Sequence, residues 1–188
     1  MYQAKVEIET IVPYKHDRYT EEAKEAADTG TRPKLTWEQR KKSWEKKIYK
    51  DKKGCYMPVE HIYHSLVNGL SGLPSLVSNK VKMTKNTTKA TIFIDESKMY
   101  LGKKTFDEMD THSTVCRNAI GNPRVTTGEP LFHPPLRMSF TINVTQDFLT
   151  PEVLKEGLAR AGQCYGIGRG RPRFGRFIIK KFHTNGIK

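Results

Sequence analysis

Cysteine is scarce in this chain: Cys55, Cys116 and Cys164 are the only three in 188 residues, far apart and with no C-x-x-C pair. That excludes a disulfide framework and removes the usual ligand spacing of a structural zinc site. Long apolar runs are missing too. Nothing approaches the ~18 residues a membrane span needs, and Lys5, Glu7 and Glu9 stand where an export signal would place its apolar stretch. A cytoplasmic, reduced protein with no membrane partner is expected. Repeats and low-complexity tracts are absent. Acidic residues vanish after Glu156, while Arg160, Arg169, Arg171, Arg173, Arg176, Lys180, Lys181 and Lys188 all follow it.

What is present is positive charge. Lys plus Arg number 33 against 20 acids, a formal net charge of +13. Such an excess can be a mere solubilising coat, but here it is concentrated. Besides the C-terminal patch, the stretch Arg40–Lys53 holds eight basic residues against Glu45 and Asp51. Two dense patches fit the electrostatic footprint of a polyanion better than scattered charge does. A hydrophobic fraction of 36% with 10% aromatics is lean, yet enough for a core.

Residues 2–12 alternate as a strand, with Ala4, Val6, Ile8 and Ile11 apolar, and Pro13 ends it. His16 to Pro33 is polar and reads as a loop with one helical turn. Thr36-Trp-Glu-Gln39 is a capping-box pattern opening a helix that docks Trp37, Trp44 and Ile48 on one face. Pro58 at the first turn starts a second helix with the stripe Val59, Ile62, Tyr63, Leu66 and Val67. Signals fragment from about 70 to 130, an irregular insertion holding the strand Ala90–Ile94 and extended pieces near Met99–Leu101 and Val115–Arg117. Leu136 to Val144 alternates without a break and predicts a half-buried strand. Thr150 as N-cap, Pro151 at N1 and Gly162 as stop frame a third helix, buried through Val153, Leu154, Leu158 and Ala161. A strand from Arg176 to Phe182 closes the chain. The pattern describes one α+β domain over residues 1–188, ferredoxin-like (RRM-like), with a mixed or antiparallel sheet and helices on one face.

The most informative segment joins that third helix to the last strand: Gly166-Ile-Gly-Arg-Gly-Arg-Pro-Arg-Phe-Gly175. Gly166, Gly168 and Gly170 permit close backbone approaches and free N–H groups for an anion. Arg169, Arg171, Arg173 and Arg176 match phosphate bidentately. A plain helix-to-strand connection takes about 2–6 residues, so the extra length spent on Gly and Arg argues against a bare linker. The loop is no Walker A motif, lacking G-K-[ST], and no dinucleotide fingerprint, because the helix precedes it and the strand follows. Lys41, Lys42, Lys46 and Lys47 are expected to add backbone contacts, with Tyr56 and Phe174 as stacking surfaces.

Gly166-Ile167-Gly168, a basic spacer, and Phe174-Gly175-Arg176 leading into the last strand resemble the glycine-rich loop of the RAMP superfamily of CRISPR-associated proteins. The second half departs from the family pattern, lacking the closing apolar-Gly pair. Gly54-Cys-Tyr-Met-Pro-Val-Glu-His-Ile62 is similar to an element of that family's backbone subunits, and the 70–130 stretch would correspond to their thumb-like region. The resemblance implies a ferredoxin-like fold that binds single-stranded RNA or DNA, RNA favoured, with head-to-tail assembly of copies and no cofactor. Virus-encoded relatives belong to the same expectation, including a single-strand DNA-binding or host-complex-interacting protein.

Some members of that superfamily are metal-independent endoribonucleases using a histidine. The candidates for that chemistry are His16 with Tyr14 and Lys15, or the pair His61 and His64. The pair has no third ligand at metal spacing, so ordinary packing or exposure is the expectation for it. Asp107, Glu108 and Asp110 offer carboxylates for metal-assisted cleavage, but acids on an irregular segment are usually just solvated. Non-catalytic binding is the expected function.

Overall fold

The computed structural model describes residues 1–30, 35–75, 78–115, 124–145 and 149–186. In β1 (Tyr2–Thr10), Ala4, Val6 and Ile8 are buried and Lys5 is exposed, as the alternation predicts. Ile11 lies beyond the strand and is exposed, because Pro13 draws the chain into the short β2 (Tyr14–Lys15). The segment read as a loop contains a nine-residue helix, α1 (Glu21–Thr29). Thr20 caps it through Ala23 N–H, and Gly30 closes it in the left-handed region. Its apolar residues are alanines, which give periodicity little contrast.

The capping box at Thr36–Gln39 forms as expected and opens α2 (Trp37–Glu45). Only Trp44 docks. Trp37 is half-exposed, edge-on to Trp44, and Ile48 falls after the helix end. Strands β3 (Lys50–Asp51) and β4 (Gly54–Pro58) follow, and Pro58 is the N-cap of α3 (Val59–Leu70) rather than its first helical residue. Ile62, Leu66 and Val67 are buried, with Val59 and Tyr63 partly so.

A small hairpin, β5 (Pro74–Ser75) and β6 (Ser78–Lys82), precedes α4 (Lys85–Thr91). The tract Lys85–Lys89 and the start of the expected strand Ala90–Ile94 are therefore helical, capped by Thr84, and only β7 (Ile92–Ile94) is extended. After β8 (Lys98–Tyr100), β9 (Glu108–Val115) pairs with β10 (Arg124–Phe132) in a long hairpin that also carries β2. Cys116, Arg117 and Lys188 lie outside the described residues, as does Pro33. β11 (Arg137–Val144) matches its expected alternation, and α5 (Pro151–Arg160) its Thr150 cap and Pro151 start. Gly162 does not stop that helix. The chain continues through a π-turn, Ala161–Tyr165, to Gly166, and β12 (Phe177–Gly186) completes the fold. Gly162 is instead pressed on β12, where a Cβ would lie 2.2 Å from the Phe177 carbonyl oxygen.

Four strands form the central sheet in the order β12-β1-β11-β7, every neighbour antiparallel. Taken with α3 and α5, the chain runs β1-α3-β7-β11-α5-β12, the β-α-β-β-α-β connectivity of a ferredoxin-like α+β fold. Helices α3 and α5 cross closely at Gly69 and Gly157: a Cβ on Gly69 would lie 2.2 Å from the Gly157 carbonyl oxygen. The core between sheet and helices is built from Val6, Ile8, Phe140, Ile142, Leu66 and Leu158 among others, each such side chain contributing about 1.5–3 kcal/mol by burial. β7, read as part of the 70–130 insertion, is a strand of this core sheet. β2, β3, β4, β8, β9 and β10, with α1 and α2, build the structures that stand beside it.

Candidate nucleic-acid interface

The Gly/Arg loop leaves the π-turn at Gly166 and lies against the segment that follows β1. Gly175 N–H donates to the Pro13 carbonyl (2.8 Å), Ile167 N–H to the Gly175 carbonyl (2.9 Å) and Arg169 N–H to the Lys15 carbonyl (3.2 Å). Gly168 and Gly175 make that fit possible. Both have positive φ, and a Cβ on Gly168 would meet the Tyr14 ring at 2.3 Å, one on Gly175 the Ile167 oxygen at 1.9 Å. Ile167 is buried beneath the loop. The glycines thus hold the loop on a platform, and several of the N–H groups expected to cradle an anion are spent on that attachment.

The arginines divide. Arg169 Nε donates to Glu129 Oε1 (3.3 Å) and sits 3.4 Å from Asp17 Oδ2. Arg171, Arg173 and Arg176 are exposed, and no carboxylate among the described residues pairs with them. Arg176 turns its Nε back to the Pro172 carbonyl at 3.0 Å. Arg171, Arg173 and Phe174 form one wall of an open groove of about 800 Å³; Asp110, His112 and Glu129 of the β9–β10 hairpin form the other.

Lys15 lies buried at the base of that groove. Its ammonium pairs with Asp110 and, at 3.4 Å, with Glu129, and stands 3.8 Å from the centre of the Phe174 ring. Asp110, His112 and Glu129 place one ligand atom each within 4.8 Å of one another, the donor set a divalent cation would take. The Lys15 ammonium and the Arg169 guanidinium already supply the positive charge there, so a metal would have to displace a buried lysine. Of the acids considered for metal chemistry, Asp107 pairs with Lys103 and accepts from His133 N–H, and Glu108 faces His133 at 3.4 Å. Asp107 thus has partners just before β9, while Glu108, on the strand, keeps a largely exposed side chain.

The Tyr14-Lys15-His16 cluster is interior. His16 is fully buried among Tyr14, Tyr49 and Phe132, and its Nδ1 accepts from Tyr49 N–H at 3.2 Å. Desolvation, then the nearby His61, push its pKa down to about 3. A sealed, neutral imidazole of this kind is badly placed for proton transfer to a strand outside. Tyr14 is also fully buried, its hydroxyl 2.8 Å from His61 Nδ1, and burial raises its pKa well above the ordinary phenol value. His61 itself opens on a smaller cleft of about 130 Å³ beside His64, Glu60 and Arg171. Burial, followed by the Arg171 charge, lowers its pKa to about 4.

On α2, Lys41 and Lys42 are exposed and unpaired by carboxylates in the described structure, whereas just past the helix end Lys46 pairs with Glu22 and Lys47 with Asp17 (3.3 Å). Asp17 thereby touches both basic patches, which adjoin in space although far apart in sequence. Tyr56 is half-buried in a separate aromatic cluster with Tyr49 and Tyr100, with Lys98 4.4 Å from its ring centre. It is not a wall of the groove. Asp17, His112, Glu129 and Tyr49 were not singled out from the sequence. Asp17, Glu129 and Tyr49 act through partners at least 30 positions away, and His112 through its strand neighbour Glu129, so no local spacing announces them.

No protein-family model matches the chain, and no curated protein matches it. Among solved structures, it is similar to a chain of the cryo-EM structure of the Type III-B Cmr-beta bound to cognate target RNA, at 11% identity and a TM-score of 0.49. The match covers 97% of this chain and 60% of that one, so this chain spans less than two thirds of its neighbour's length. The likeness concerns the course of the backbone only. The fold assignment rests on the strand order and connectivity described above.

Proposed function

We propose that this chain is a RAMP-type, non-catalytic, cytoplasmic protein that binds single-stranded nucleic acid, RNA in preference, along the groove between the Gly/Arg loop and the β9–β10 hairpin. The observation that carries this reading is the contrast within the loop: Arg169 is neutralised by Glu129 and Asp17, while Arg171, Arg173 and Arg176 have no acidic partner among the described residues and stand on a backbone pinned at both ends. Pre-positioned guanidinium groups without acidic partners suit a row of phosphates. Lys41 and Lys42 extend the positive surface from the neighbouring patch. Further copies of the chain are expected to line up along the same strand, as the resemblance implies.

Fluorescence anisotropy with labelled ssRNA, ssDNA and duplex of one sequence, at 50 and 200 mM salt, tests the reading. About six neutralised phosphates at a single-strand slope near −0.7 each predict a roughly 300-fold loss over that range. Sedimentation with strands of increasing length tests the alignment of copies. Absence of binding to any strand would turn the basic surface into a docking face for an acidic protein.

A further inference from the structure

The small cleft beside the groove has a property that phosphate binding does not use. The Tyr14 hydroxyl is sealed from solvent, and its hydrogen-bond partner is His61 Nδ1 at 2.8 Å. A buried phenol must donate its proton somewhere, and this nitrogen accepts it, which places the imidazole's own proton on Nε2. Among the described residues His61 Nε2 has no protein partner, and it is not among the sealed, unsatisfied atoms, so it opens on the cleft. One N–H donor is thus fixed there by the fold. Arg171 lies beside it without a carboxylate partner, and Glu60, exposed at the preceding position of α3, adds an acceptor.

We propose that this cleft reads the 2′-hydroxyl of a ribonucleotide whose phosphate is held by Arg171. The inference rests on the strand-binding function above and adds the source of its RNA preference. A 2′-hydroxyl is both donor and acceptor: it accepts from His61 Nε2–H and donates to the Glu60 carboxylate. A deoxynucleotide makes neither bond, and the half-buried His61 N–H, rather than the exposed Glu60 carboxylate, carries the discrimination of a site built around a hydroxyl. The same tautomer separates reading from cutting. An imidazole whose outward nitrogen carries the proton donates a hydrogen bond and cannot, in that form, remove the 2′-hydroxyl proton. Burial and the Arg171 charge keep the ring neutral near pH 7.

The test compares ssRNA, ssDNA and 2′-O-methyl RNA of one sequence by anisotropy, with wild-type protein, His61→Phe and Tyr14→Phe, and runs the RNA on a denaturing gel. Wild-type protein is expected to prefer RNA by about tenfold, the scale of one net hydrogen bond. His61→Phe should lower RNA affinity to the DNA level with the loss confined to RNA, and Tyr14→Phe should shrink the preference by a smaller factor. Methylation, which removes the hydroxyl proton, should lose affinity in wild-type protein only. If His61→Phe fails to fold by circular dichroism, the methylated strand and Tyr14→Phe decide. An RNA preference untouched by His61→Phe, or an unchanged affinity for methylated RNA, overturns the reader. So does equal binding of RNA and DNA, which leaves strand binding itself intact. Binding to neither strand removes the strand-binding function, and shortened RNA makes the cleft a catalytic one.

Discussion

On α2 the cations stand on a helix whose single buried side chain is Trp44, and Glu22 and Asp17 meet the two lysines, Lys46 and Lys47, that follow its end. In loop 166–175 the cations stand on a backbone pressed onto Tyr14 and Lys15, and the hairpin acid Glu129 reaches only the first of them. The two stretches look alike as strings of Lys and Arg. They differ in how much of that charge is left over once the chain has folded, and in how firmly it is held. Positioned and unpaired charge binds a phosphate at less cost than mobile charge, because less side-chain freedom remains to be lost.

The comparison is broken most directly at the arginines. Arg171→Ala with Arg173→Ala should weaken single-strand binding at least tenfold and flatten the salt slope by about 1.4, two phosphates at 0.7 each. Arg169→Ala should change affinity less than threefold, yet lower the melting temperature, since it strips a partner from the buried Glu129 carboxylate. Equal losses in the two variants would mean that pairing with Glu129 does not withdraw Arg169 from the strand. Next in size is Gly168→Ala. A Cβ at positive φ, 2.3 Å from the Tyr14 ring and 2.6 Å from the Lys15 oxygen, should cost about 1–3 kcal/mol. Chemical denaturation measures that cost, and an undiminished stability would show that the loop rests on its platform more loosely than described.

Periodicity served well where one face of an element is buried. The alternation of Val6, Ile8, Phe140 and Ile142 and the stripe Ile62, Leu66, Leu154 and Leu158 lie where their spacing put them, and capping residues Thr36 and Thr150 marked two helix starts correctly. It failed for α1 and α4, short helices without an apolar stripe, and at Gly162, whose lack of a Cβ serves close packing on Phe177 rather than helix termination. The loop itself was legible because glycine and arginine are concentrated in ten residues. The acids that sort its arginines were not, because Glu129 and Asp17 reach it only through the pairing of β10 with β2 and β9. Tyr14, Lys15 and His16 stood out as a reactive-looking triplet, but that spacing carries no information about burial.

The two depressed imidazoles flank Tyr14 of the loop's platform, His16 in the same segment and His61 on α3, and α2 contains none, so acid should act on that region first. His16 and His61 have folded pKa values of about 3 and about 4, below the ordinary value near 6.5. The unfolded chain therefore binds protons that the folded one refuses. Stability is full above about pH 6.5 and falls as pH drops toward those values, by about 1.4 kcal/mol per unit for the buried His16. Urea melts at pH 7.5, 5.5 and 4.5 should show the decline, and His16→Gln should lessen its slope. A pH-independent midpoint would contradict the burial of these rings.

The smallest effect is expected from Lys41→Gln with Lys42→Gln. Both side chains are exposed and lack acidic partners among the described residues, so each adds attraction without fixed geometry, and Lys41 already rests 5.5 Å from the centre of the Trp37 ring. Affinity at 150 mM salt should fall only two- to threefold, and the gap should widen at 50 mM because screening weakens long-range attraction first. A loss as large as that of the Arg171 and Arg173 variant would place the strand along α2, with the loop as its anchor. No loss at either salt would confine the binding surface to the groove, where guanidinium groups on a pinned backbone face the hairpin.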